Sequence, residues 1–238
     1  MHIILVPGLW LDASTWGEVV PALEAAGHRA HPLTMPGVGE PADRSADIGI
    51  ADWVAATVAE IDRHDGPIAL VGHSGGGNVV YGALDARVDR VSHVVFLDTF
   101  PPADGGSIWE FPVVDGVIPF PGWDAFEEAE KADLDPQTRA EIAQRAKRVP
   151  QRVPTDPVHL GDERRRDVPA TIVTSTMPAA QIREIAREAP AWAAELAALR
   201  RLDVVELHGQ GEPTGHWPQF SVPGAVAEAI LAAIARER

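Results

Sequence analysis

Short apolar runs alternate along this chain with stretches of helical periodicity. His2 to Val6, Arg29 to Thr34, Ile68 to Val71, Val91 to Leu97, Ala170 to Thr174 and Val204 to His208 have the length and composition of strands. Trp16, Val19, Val20 and Leu23 recur at helical spacing after a capping position at Ser14, and Gly27 is placed to end that helix. Ala51 to Arg63, Asn78 to Ala86, Ala179 to Arg200 and Pro223 to Ala235 read as further helices. Strictly alternating strands and helices build βαβ units around a parallel sheet. The pattern predicts one α/β domain over residues 1–238, with a mostly parallel sheet of about six strands flanked by helices.

The alternation lapses between residues 101 and 168, far longer than the roughly 2–6 residues that usually connect a helix and a strand. Pro136 to Lys147 follows Asp135 with proline in its first turn, a helix-start signature. The stretch also carries Trp109, Phe111, Phe120, Trp123 and Phe126. That apolar load predicts an inserted helical cap over a pocket rather than a peripheral excursion.

The strand Ile68 to Val71 leads into Gly72-His73-Ser74-Gly75-Gly76, and a helix follows. A strand turning sharply through a serine into a helix is a nucleophile elbow, whose glycines let strand and helix approach without a Cβ clash. The alternative is an ordinary glycine-rich turn. In the elbow reading Ser74 is the nucleophile.

Composition narrows the classes. The 238 residues hold 20 Lys plus Arg against 35 Asp plus Glu, a formal net charge of −15, which argues against nucleic acid or an anionic membrane as partner. The one basic cluster, Arg164 to Arg166, is bracketed by Asp162, Glu163 and Asp167. The absence of cysteine removes disulfides and thiolate chemistry. No signal peptide and no run of membrane-spanning length is evident, so a cytoplasmic location is expected.

A serine hydroxyl needs a base, itself held by a third group. His216 stands in Thr214-Gly215-His216-Trp217-Pro218, between the last strand and the last helix, where a side chain can return to the carboxyl edge of the sheet. His73, on the strand side of the elbow, is expected to turn away and pack. His28 and His31 could form a metal pair, but no third ligand accompanies them, so solvated or strand-end roles are expected and no metal or organic cofactor is implied. For the acid, Asp98 closes the strand after the elbow and keeps the order nucleophile, acid, histidine; its alternative is a turn cap, and Glu212 and Asp203 are other candidates. The slot after Ala170 to Thr174 reads Ser175-Thr176 and holds no carboxylate. Oxyanion donors are expected at the backbone N–H of Gly75 and, from the turn Pro7-Gly8-Leu9-Trp10, of Leu9.

These segments resemble a small α/β-hydrolase fold protein of the esterase and hydroxynitrile lyase type. The likeness rests on Val6-Pro7-Gly8-Leu9-Trp10, Ala25-Ala26-Gly27-His28, the Gly72 to Gly76 elbow, Val95 to Pro101 and Gly215-His216-Trp217. The family often has His-Gly where Pro7-Gly8 stands, and its usual later acid is missing; in one bacterial branch a Leu-Asp-x-Phe segment provides it. The lyases of the group usually carry lysine directly after the histidine, where this chain has Trp217. The resemblance implies a serine hydrolase acting on a small to medium hydrophobic carboxylic ester or lactone. Thioester or carbon–carbon bond cleavage by the same triad, or a non-catalytic ligand-binding homologue, are the alternatives. Trp10, Trp217, Trp109, Phe111, Phe120 and Trp123 are the candidate substrate-binding side chains.

Overall fold

Six strands are hydrogen-bonded side by side, all parallel, in the order β2-β1-β3-β4-β7-β8 in a computed structural model that describes residues 1–209 and 212–235. They are β1 (His2–Val6), β2 (Arg29–Pro32), β3 (Ile68–His73), β4 (Val91–Leu97), β7 (Ala170–Thr174) and β8 (Leu202–Glu206); β5 (Val117–Ile118) and β6 (Val149–Pro150) form a separate antiparallel pair. The helices are α1 (Val20–Ala25), α2 (Ala42–Ser45), α3 (Ile50–Asp62), α4 (Gly76–Ala86), α5 (Glu128–Lys131), α6 (Pro136–Arg145), α7 (Ala179–Glu188), α8 (Ala194–Ala198), α9 (Pro218–Ser221) and α10 (Pro223–Ala235).

The two-residue period of a strand sends neighbouring side chains to opposite faces. Ile4 and Val6 therefore pack with Trp53 and Ile61 of α3 and Val80 and Tyr81 of α4, while Ile3 and Leu5 pack with Leu23 of α1 and Ile230 and Ile234 of α10. The chain steps from β1 to β2 on one side, then crosses to β3 on the other. Such a reversal opens a crevice at the carboxyl ends of the strands, where ligands of open α/β sheets bind. The ends of β1 and β3 frame that crevice here.

Three local expectations are corrected. Ser14 does not cap a helix: the Asp12 carboxylate accepts from Ser14 N–H at 2.9 Å and opens a 3-10 turn, and α1 starts only at Val20. The helix expected over Ala179 to Arg200 is broken, because Ala189 adopts φ +50° and Pro190 has no N–H to continue the ladder. The last sheet strand runs Leu202–Glu206, two residues earlier than its apolar pattern suggests.

Between β4 and β7 the chain carries α5, α6 and the β5/β6 pair. Leu134 and Ile142 from this stretch bury against Leu11 and Trp217, which seats it beside the carboxyl edge of the sheet. No helix among the described residues is long and apolar enough to cross a membrane.

Candidate active site

Ser74 follows the end of β3 with φ +50°, and α4 begins two residues later. A Cβ on Gly76 would stand 2.6 Å from the Val6 carbonyl oxygen and 2.7 Å from that of Pro7, so only glycine lets the helix lie this close to the end of β1. Gly72 is equally confined, 2.6 Å from Val80 Cγ2. Trp10 at φ +64° and Asp98 at φ +48° are also left-handed. Side chains pay about 1–3 kcal/mol each for such backbone, and these three strained residues gather at one edge of the sheet.

Ser74 Oγ lies 2.9 Å from His216 Nε2, and His216 Nδ1 lies 2.6 Å from Asp98 Oδ2. A carboxylate only accepts, so Nδ1–H donates to Asp98 and Nε2 is left to accept from the serine hydroxyl. Asp98 is nearly buried, its side chain 4% exposed. Burial works against its ionisation. The hydrogen bond and charge of His216, followed by the N–H groups of Thr176 and Ser175, nevertheless hold its carboxyl below the usual carboxylate range.

Ser175 and Thr176 stand in the slot that lacks a carboxylate. Their N–H groups donate to Asp98 Oδ1 at 2.8 and 3.0 Å, and the Thr176 hydroxyl reaches Oδ2 at 3.0 Å. The loop without an acid thus cradles the acid from the neighbouring strand.

The His216 backbone is clamped at both ends. Its N–H donates to the Glu130 carbonyl at 2.6 Å, and its carbonyl accepts from His73 Nε2–H at 2.7 Å. His73 packs, as its strand position suggests, but it lies beneath His216 instead of turning away. With Nε2 protonated, its Nδ1 accepts from the Gln219 amide at 3.2 Å. Complete burial, reinforced by the charge of His216, pushes the His73 imidazole down to about 3, so it is neutral across the working range. Neither His73 nor Gln219 was singled out for this place; a histidine next to the serine, otherwise unexplained, was the available signal.

A cleft of about 250 Å³ opens above Ser74. Leu9, Gly75, Trp10, Trp109, Phe111 and Trp217 all border it. Phe120 and Trp123 do not. They stack behind the wall, Phe120 edge-on to Trp10 at 5.7 Å and Trp123 edge-on to Trp217 at 4.9 Å, with Trp123 Nε1–H donating to the Arg139 carbonyl. Ile108 and Phe126 take their place in the lining. Spacing in an irregular segment does not encode which way a ring points.

A model of the alpha/beta hydrolase family matches residues 3–229. Over 112 residues the chain is 39% identical to the esterase PIR7B of Oryza sativa subsp. japonica, covering 44% of this chain and 40% of that protein. Over 104 residues it is 34% identical to Methylesterase 8 of Arabidopsis thaliana, covering 42% and 38%. The chain thus spans about two-fifths of the length of these curated relatives. An extracellular alpha/beta-hydrolase from a Paenibacillus species superposes with a TM-score of 0.75 at 20% identity over 98% of both chains. A methylesterase from Arabidopsis does so with 0.74 at 19% over 99% of both. At that identity the likeness is one of fold. The family model, by contrast, matches nearly the whole chain, and the protein belongs to the alpha/beta hydrolase family.

Proposed function

We propose that this protein is a serine hydrolase that cleaves small to medium hydrophobic carboxylic esters or lactones through an acyl-enzyme. The observation that carries the reading is the unbroken line from Asp98 through His216 to Ser74, with the hydroxyl facing a cleft whose wall includes Ile108, Phe111 and Phe126. Esterase and methylesterase relatives support it. So does the cleft volume, which suits a small acyl or aryl group rather than a polymer.

In this mechanism Ser74 Oγ attacks the ester carbonyl as its proton passes to His216 Nε2. Asp98 holds the ring and stabilises the imidazolium. The negative oxygen of the tetrahedral intermediate takes the N–H groups of Gly75, at the start of α4, and Leu9, in the turn after β1. His216 then protonates the departing alkoxide, and a water activated by the same nitrogen hydrolyses the acyl-serine. The residues between β4 and β7 act as the cap: Ile108, Phe111 and Phe126 meet the apolar part of the substrate.

The test combines a fluorophosphonate label mapped by mass spectrometry with a panel of p-nitrophenyl esters of graded acyl length. Label on Ser74 alone, absent in Ser74→Ala, with turnover of the shorter esters, is expected. Label at another serine, or no turnover across esters and lactones while the fold is intact, overturns the reading.

A further inference from the structure

Far from Ser74, at the amino-terminal edge of the sheet, three histidines come together. The parallel register pairs His2 with Arg29 and Ile4 with His31, so the side chains of His2 and His31 share the face of the sheet that carries Ile4. That is the face covered by α3. The end of α3 brings Glu60 over these rings, and the chain just beyond it brings His64. Ring centroids lie 4.0 Å apart for His31 and His64, 4.4 Å for His2 and His64, and 5.1 Å for His2 and His31.

The nitrogens converge as well as the rings. His2 Nδ1 is 2.9 Å from His31 Nε2, and one ring nitrogen from each of the three lies within 4.8 Å of the others. Zinc–nitrogen bonds of about 2.05 Å in a tetrahedron would set ligand nitrogens about 3.3 Å apart. The rings stack, with interplanar angles of 15° for His2 and His64, 19° for His2 and His31 and 30° for His31 and His64, so binding requires them to turn about their side-chain bonds until their planes meet at the ion.

Glu60 decides the tautomers. Its Oε1 accepts from His64 Nε2–H at 2.8 Å and stands 3.5 Å from His31 Nδ1. Protons on those two nitrogens leave lone pairs on His64 Nδ1 and on His31 Nε2, the nitrogen that faces His2. A carboxylate behind ligating imidazoles is the usual outer support of a metal site, fixing ring orientation and raising basicity. A second anchor is the Arg90 guanidinium, which donates to the His64 carbonyl and holds the loop after α3 in place.

We propose that His2, His31 and His64 bind one divalent transition-metal ion of the zinc type, with Glu60 orienting two of the three rings and water completing the shell. In the sequence alone His31 has no third ligand and no metal is expected; the fold brings His2 and His64 to it. Three imidazoles and no thiolate favour Zn2+, Ni2+ or Cu2+ over Mg2+ or Ca2+. The site is separated from Ser74 by the length of a strand, roughly 15–20 Å. The ion therefore ties the edge strand β2 to β1 and to the end of α3, and takes no part in catalysis.

The test uses the full chain freed of metal by chelation, titrated with Zn2+ by calorimetry and with Co2+ by visible absorption. One ion per chain, a tetrahedral Co2+ spectrum and a Tm raised by roughly 5–10 °C at a hundredfold excess over Kd are expected. His64→Gln and His31→Gln should each weaken binding at least tenfold, and Glu60→Gln by about 10- to 100-fold. His216→Gln should leave Zn2+ affinity unchanged, which separates this site from the active-site histidines. Lack of one-to-one binding, or affinity retained in folded His64→Gln and His31→Gln, overturns the proposal.

Discussion

Asp98 Oδ2 lies 2.6 Å from His216 Nδ1, across 118 residues of chain. The contact exists because β4 and β7 are neighbours: Asp98 leaves β4 with its N–H on the Val173 carbonyl at 2.8 Å, and the loop after β7 donates to its carboxylate. If the proposed mechanism holds, Asp98→Asn keeps the fold, since asparagine tolerates φ +48° and still accepts from Ser175 and Thr176. Its amide, however, presents a donor to Nδ1 and imposes the wrong tautomer. Turnover should fall by up to roughly 10⁴-fold with Tm nearly unchanged. A variant that keeps most of its kcat/KM would reduce Asp98 to a turn residue.

His73 should make the protein acid-labile. Its imidazole is held at about 3 in the fold, against an ordinary 6.5. Between those values the unfolded chain binds a proton that the folded chain refuses, so stability is complete above pH 6.5 and falls as pH drops toward 3. The full loss is on the order of 5 kcal/mol. Thermal melts at intervals from pH 7 to 4 should give a shallower decline of Tm with acid for His73→Gln than for the parent. Equal slopes would show that other groups carry the acid sensitivity.

Gly215 has no room for a side chain, because a Cβ would collide with the Glu130 carbonyl that receives the His216 N–H. Gly215→Ala should push His216 out of line with Ser74. A displacement near 1 Å costs about 10²-fold in a positioned reaction, so kcat should drop by that order with KM little changed. Wild-type kcat in this variant would mean that the histidine loop relaxes at no cost.

The aromatic residues divide into two groups that mutation can separate. Phe111→Ala and Phe126→Ala, at the cleft wall, should shift the preferred acyl length, each methylene being worth roughly 1–3 kcal/mol of discrimination. Phe120→Ala and Trp123→Ala, half-buried behind Trp10 and Trp217, should lower stability by about 2 kcal/mol and leave the order of preference intact. Selectivity changes confined to the second pair would reverse this assignment.

Much of the fold was legible along the chain. The strands His2–Val6, Val91–Leu97 and Ala170–Thr174 coincide with their apolar runs, and the glycines around Ser74 announce a turn that larger residues could not make. These features are local: side-chain period, chain entropy and steric room act over a few residues, so composition at neighbouring positions suffices to read them. That Ser74, Asp98 and His216 stand at one sheet edge was legible for the same reason, since each closes or follows a strand. What they touch was not. The support of Asp98 by Ser175 and Thr176, the place of His73 beneath His216, the turning of Phe120 and Trp123 away from the cleft, and the gathering of His2, His31 and His64 all depend on strand order and side-chain direction. Those are settled only when segments distant in sequence pack together, because burial and hydrogen bonding choose among rotamers and neighbours that the chain alone leaves equivalent.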